Sequence, residues 1–129
     1  MITVVAALIE KDNKYLIAKR STGNSEVLGK WEFPGGKVED NEDEFNAIER
    51  EIKEEFELNI KAIRFITNNI YKTSFKSIDL RLYECSYVSG EFKLHDHSEY
   101  KFVKKENLLD YDLCPADIPL AKYIMNLQS

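Results

Sequence analysis

The chain has 129 residues, 43% of them hydrophobic and 32% charged, with a formal net charge of −5. That size and apolar content fit a single domain over 1–129 with a sizeable core, and the interspersed charges of both signs exclude a disordered chain. The acidic balance speaks against a protein that coats DNA or RNA, which carries a basic stripe, but not against an anionic small substrate, because a bound divalent cation reverses the local field.

In chain order, Ile2 to Ile9 is apolar and rich in β-branched residues, the composition of a mostly buried strand. This stretch is too short to span a membrane and has no basic leader. Lys11 to Lys14 is a polar turn, and Tyr15 to Ala18 returns as the second strand of a hairpin. Arg20 and the loop Ser21 to Ser25 follow. Trp31 to Phe33 is a short extended piece. Pro34-Gly35-Gly36 is expected to end it in a turn where the backbone approaches a ligand closely. Asn41, with Glu44 three residues later, has the spacing of a capping box and is the expected start of a helix. Phe45, Ile48, Ile52 and Phe56 then recur at steps of three and four, the stripe of a helix buried on one side. Ala62 to Tyr71 and Ile78 to Val88 read as long strands joined through Thr73 to Ser77, with Ser89-Gly90 as a turn. His95 to Glu99 is expected to be a loop, Tyr100 to Val103 a short strand and Lys105 to Leu109 a helical turn. Beyond Pro115, Leu120, Ala121, Ile124, Met125 and Leu127 mark a terminal amphipathic helix. Such a mixture suits an α/β sandwich, with helices covering both faces of a mixed sheet. Cys85 and Cys114 fit no C-x-x-C spacing and read as buried, reduced thiols of a cytoplasmic protein.

The first helix carries the chemistry. Glu54 and Glu55 lie three and four residues after Glu51, so the three acids share one face. That face is roughly 90° from the centre of the apolar stripe, beside the buried seam rather than opposite it. Their mutual repulsion is unfavourable unless a cation sits there. Mg²⁺, with Mn²⁺ as a substitute, prefers oxygen ligands and keeps several waters, so a few carboxylates and substrate phosphates complete its shell. Taken alone, Glu-x-x-Glu-Glu equally describes a solvated acidic helix.

Written out, Gly36, five residues, Glu42, seven residues and Arg50-Glu51-Ile52-Lys53-Glu54-Glu55-Phe56-Glu57-Leu58 resembles the Nudix box, G-x5-E-x7-R-E-U-x-E-E-x-G-U, where U is bulky and apolar. Agreement holds at Gly36, Glu42, Arg50, Glu51, Ile52, Glu54, Glu55 and Leu58; Glu57 stands where the pattern has glycine, which puts the end of the helix in question, not its acidic face. The resemblance implies a Nudix-type α/β/α sandwich with a mixed β-sheet. It also implies a divalent metal held by Glu51, Glu54, Glu55 and a backbone carbonyl of the glycine turn at Gly35, with Arg50 orienting the glutamates. Glu42 belongs to this set or serves as first-turn charge complementing the helix dipole.

Beyond the box, Trp31 to Glu39 resembles the entry segment of the MutT branch, whose members hydrolyse nucleoside triphosphates. Pro115-Ala116-Asp117-Ile118-Pro119-Leu120 is similar to that branch's base-recognition corner, in the wording of its CTP pyrophosphohydrolases. An ionised Asp117 only accepts hydrogen bonds and favours a base with an amino group, such as cytosine N4 or adenine N6. At a helix start the same residue is also a plain N-cap, with Pro119 in the first turn. His95-Asp96-His97 is similar to a His-Glu-His of those enzymes, whose central carboxylate is implied as a metal ligand or general base. Asp96 or Glu54 is therefore expected to help deprotonate the attacking water, with Glu99 as a substitute on the same loop; the other reading of this segment is an exposed polar loop. Arg20 matches a nucleotide-contacting arginine or is an ordinary surface arginine; Phe33, Gly36 and Lys37 complete the expected substrate contacts. Trp31 is expected in the core or the pocket wall. The implied function is Mg²⁺-dependent hydrolysis of a CTP- or dCTP-like nucleoside triphosphate to monophosphate and pyrophosphate, with no nucleic-acid polymer and no membrane as partner. The alternatives are an oxidised purine triphosphate such as 8-oxo-dGTP, a nucleoside diphosphate linked to another group, or a non-catalytic nucleotide-sensing module. No oligomeric state follows from the sequence.

Overall fold

The structure, a computed structural model, describes residues 1–127. Strand β1 (Ile2–Lys11) is its spine. It runs parallel to β6 (Ser77–Ser89), from Ile2 opposite Ile78 to Ile9 opposite Cys85, and β5 (Asn59–Lys72) lies antiparallel on the outer side of β6. On its other side β1 turns into β2 (Lys14–Arg20), which pairs antiparallel with both β3 (Trp31–Glu32) and β7 (His97–Val103). The order is β3-β2-β1-β6-β5, with β4 (Gly35–Lys37) pairing β1 and β7 pairing β2 off this path, seven strands in all.

Both faces of this mixed sheet are covered, which explains why β1 reads as a continuous apolar run rather than an alternating one. Val5, Ala7 and Ile9 face helix α1 (Glu44–Phe56) and pack with Ile48, Ile52 and Phe56, whereas Ala6 and Leu8 face α2 (Ile118–Met125) and pack with Leu120, Ala121 and Ile124. Trp31 and Phe33 join the second layer, and the Trp31 indole meets Tyr111 edge-on at 5.3 Å. The architecture is the expected α/β/α sandwich. Cys85 and Cys114 are buried free thiols, each pushed up to about 12, first of all by burial. Among the described residues no helix is long and apolar enough to cross a membrane.

Several local expectations are corrected. Gly35-Gly36-Lys37 is not a turn but strand β4, paired with Ala6, Val5 and Val4. The helix is capped by Asp43, whose side chain accepts from the Asn46 amide at 2.7 Å, while Asn41 sits in the left-handed region at φ 64°. Phe45 is 44% exposed and leans edge-on against Tyr83, so the buried stripe is Ala47, Ile48, Ile52 and Phe56. His97 to Glu99 belong to β7, not to a loop. Leu127 lies past the end of α2 and is partly exposed.

Glu57 ends α1 in the left-handed conformation, φ 57°, and its amide donates to the Lys53 carbonyl. A glycine would adopt this conformation without the Cβ clash. Glu57 stands there with its carboxylate 2.7 Å from His95 Nε2 and 3.8 Å from Lys93 Nζ, exposed contacts of small value. Glu57→Gly is therefore expected to raise the thermal midpoint by roughly 2–4 °C. A lower midpoint in calorimetry would mean that the His95 contact outweighs the backbone strain.

Candidate functional site

The site forms where β1, β4 and β6 meet the first helix. Strand pairing puts Ile2 beside Ile78 and Val4 beside Leu80, and these four side chains floor a pocket of about 590 Å³. Phe33, Asp117, Glu51 and Glu55 line it with Gly35 and Gly36, and so do Arg20, Glu32, Lys37 and Lys76. The two glycines are required by close approach. A Cβ on Gly35 would lie 1.8 Å from the Val5 carbonyl oxygen, and one on Gly36 would lie 2.3 Å from the Glu51 carboxyl carbon. Glycine at these positions lets β4 join β1 while α1 brings Glu51 down onto it.

Arg50 organises the acids. Its Nε and Nη2 grip both oxygens of Glu42 at 2.7 and 3.0 Å, while Nη1 donates to Glu51 at 2.9 Å and to Glu54 at 3.1 Å. Nη2 also donates to the Lys37 carbonyl at 3.1 Å, which ties the helix to β4. The charge-assisted bonds hold the Glu42 carboxyl below its usual range, the Arg50 bond first among causes. Glu42 lies before the helix, so it acts as the anchor of Arg50 rather than as first-turn charge.

The three metal-face glutamates are not equivalent. Glu51 and Glu55 line the pocket; Glu54 has a side chain 58% exposed and bound to Arg50. Burial pushes the Glu51 carboxyl up against the opposing pull of Arg50. Burial, followed by the charges of Glu32, Glu51 and Asp96, pushes Glu55 up to about 9. Glu55 Oε2 is buried and has no hydrogen-bond partner among the described residues. A desolvated, unpartnered carboxylate among other acids is a position a cation would stabilise, so the residues present fit a hard divalent ion. Among the described residues no three acidic, imidazole or thiol side chains come together as a set that could hold a metal ion as they stand. An ion that keeps waters and takes phosphate oxygens needs no such set, and Glu54 would join it only by leaving Arg50.

Asp117 is 5% exposed and its Oδ2 accepts from the Phe33 amide at 2.9 Å. Its side chain makes no capping bond to α2, so the N-cap expectation is replaced by a tertiary contact that points it into the pocket. Burial and then the neighbouring Glu32 raise the Asp117 carboxyl well above the usual range. Arg20 is no ordinary surface residue: it lines the pocket and pairs with Glu32 at 3.1 Å. Asp96 is exposed, acts on Glu55 through its charge, and its backbone oxygen accepts from both the amide and the hydroxyl of Ser21. Glu99 is tied instead to Lys19 at 3.8 Å. Glu32 and Lys76 had no expected role, and His97 none beyond its place in the His95-Asp96-His97 run. The signal for Glu32 was an acid between two aromatics in a short strand, Trp31-Glu32-Phe33; Lys76 had none, since only folding brings the β5–β6 hairpin to the pocket.

The family profile of the NUDIX domain matches residues 1–124. The CTP pyrophosphohydrolase of Escherichia coli is 36% identical over 129 residues, spanning 100% of this chain and 95% of its own. The 8-oxo-dGTP diphosphatase of Buchnera aphidicola is 33% identical over 81% of this chain and 78% of its own. Among solved structures, the MutT protein of Methanosarcina mazei superposes with a TM-score of 0.82 at 27% identity, covering 95% of this chain and 89% of that one. With the profile running over nearly the whole chain and Gly36, Glu51 and Glu55 of the box lining one pocket, this protein belongs to the Nudix hydrolase family.

Proposed function

We propose that this Nudix hydrolase converts nucleoside triphosphates with a cytosine-like base into monophosphate and pyrophosphate, with Mg²⁺ as its ion. The observation that carries this reading is the union of the Glu51/Glu55 face and Asp117 in a single pocket. The Ile2, Val4, Ile78 and Leu80 floor gives a base an apolar surface. A protonated Asp117 carboxyl would offer one donor and one acceptor side by side, which matches N3 and N4 of cytosine or N1 and N6 of adenine, and its ionised form would accept from the amino group alone. Uracil and guanine present the reverse order. Arg20 and Lys37 place positive charge on the pocket lining for the phosphates. A divalent ion bound at Glu51 and Glu55 supplies phosphate neutralisation and a more acidic water. Arg50 keeps Glu51 oriented, and Glu54 or Asp96 receives the proton of the attacking water. The water oxygen bonds to the β-phosphorus, and the α–β bridging oxygen leaves with the monophosphate. Likeness to the E. coli CTP pyrophosphohydrolase supports the cytosine assignment.

Pyrophosphate release from CTP, dCTP, UTP and 8-oxo-dGTP tests this. CTP or dCTP is expected to exceed UTP in kcat/KM by roughly tenfold or more, and Asp117→Ala to flatten that preference. Glu54→Gln is expected to lower kcat by about a hundredfold or more. Equal turnover in Glu54→Gln and wild type would sink the mechanism. A best rate with 8-oxo-dGTP would hand the site to the oxidised-purine reading.

A further inference from the structure

Glu32, a partly buried acid on the pocket lining, is left unused by the proposed reaction. It stands in β3 opposite Ala18 of β2, and two residues further along β2 is Arg20, opposite His97 of β7. The β2–β7 register shifts between Lys19 and Arg20, yet the contacts of Glu32 with both Arg20 and His97 put all three side chains on one side of the sheet. Both oxygens of Glu32 are engaged: Oε1 accepts from Arg20 Nη1 at 3.1 Å, and Oε2 lies 2.9 Å from His97 Nε2. The His97 ring, 5% exposed as a residue, stacks on Phe56 of α1 at 5.1 Å between centroids. One residue earlier, the Asp96 carbonyl receives both bonds from Ser21, the residue after Arg20. Arg20 Nε is spent on the Thr22 carbonyl, and among the described residues its Nη2 has no hydrogen-bond partner.

We propose that Glu32 is a positioning residue: by binding Arg20 and His97 together, it sets the pocket-facing guanidinium and the Asp96 loop as one unit. A buried ionic cluster is weak support for stability, since apolar replacements are often as stable. Its use here is geometric. The cluster points the remaining donors of Arg20 at the pocket and stops the Asp96 carboxylate drifting from Glu55. Because Glu32 as a carboxylate only accepts, His97 Nε2 must carry a hydrogen toward it.

The catalytic consequence rests on the triphosphate reading above, so the test has two arms. In the first, kcat and KM for CTP are measured for wild type, Arg20→Ala, Glu32→Gln and the double variant. Each single change is expected to lower kcat/KM by about tenfold or more, with the double variant within about threefold of the weaker single. Multiplicative losses would overturn the proposal. In the second arm, which needs no substrate, long-range ¹H–¹⁵N spectra are expected to show His97 protonated on Nε2. Exchange of the Ser21 amide is expected to accelerate at least about tenfold in Glu32→Ala while the α1 amides stay unchanged. A bare Nε2 in wild type, or equal loss of protection throughout, would overturn it. If Glu32→Ala does not fold, Glu32→Gln carries this arm with a smaller acceleration of the same amide. A wild type that leaves CTP intact but shows both spectroscopic results would sink the substrate assignment alone.

Discussion

Glu55→Gln is expected to melt higher than wild type at pH 8 without metal and to have lost hydrolysis. Glu55 is pushed from 4.5 up to about 9, chiefly by burial. A carboxyl raised in the folded state stabilises fully below its unfolded value and loses that contribution as pH climbs toward the folded one. The metal-free wild type is therefore expected to lose stability between about pH 4.5 and 9. Each 1 kcal/mol of this linkage corresponds to roughly 3–6 °C in a domain of this size. Glutamine carries no proton to lose, so the variant flattens that part of the slope; Asp117, also raised by burial, keeps the rest. Adding Mg²⁺ is expected to restore the wild-type midpoint and to leave Glu55→Gln nearly unmoved. Calorimetry at pH 7.5 in two buffers of different ionisation enthalpy should show about one proton released per ion bound. A wild-type midpoint that rises steadily from pH 5 to 9 without metal would show that Glu55 is ionised, and the account of the cation site would fail with it.

Arg50→Ala is expected to cost both stability and activity, and Arg50→Lys to rescue little of either. One guanidinium spans Glu42, Glu51, Glu54 and the Lys37 carbonyl, in a setting where its own side chain is 24% exposed and those of Glu42 and Glu51 are 15% and 16% exposed. Removing it leaves two largely buried carboxylates uncompensated, a change expected to lower the midpoint by roughly 6–10 °C. A lysine supplies charge at one point but cannot hold Glu42 bidentately while reaching Glu51. Hydrolysis is expected to fall by about a hundredfold or more in both variants, because Glu51 loses its orientation. A fully active Arg50→Lys would show that charge, not geometry, is what the site takes from this residue.

Both predictions concern residues that the box spacing picked out, yet their consequences come from folding. Period and composition determine that Ile48, Ile52 and Phe56 bury one side of a helix while Glu51, Glu54 and Glu55 share another, because helical geometry is local. The doubly buried β1 is equally visible, since an unbroken apolar run has to be covered on both faces. Local rules failed where a long-range partner outbid them. Gly35-Gly36 looks like a turn, but β1 recruits it as a strand, and only the Cβ clashes with Val5 and Glu51 say why glycine is needed. Asp117 looks like a cap, but the Phe33 amide, 84 positions away, takes its carboxylate. Glu32 carried almost no signal because its partners, Arg20 and His97, come from two other strands. The sequence by itself determined the reaction-bearing helix, its acidic face and the layers around it. Tertiary structure alone decided that Glu54 rests on Arg50 while Glu55 Oε2 is buried with no hydrogen-bond partner among the described residues, and that Asp117 lines the same pocket. Those properties depend on desolvation and on groups distant in the chain, which no periodicity records.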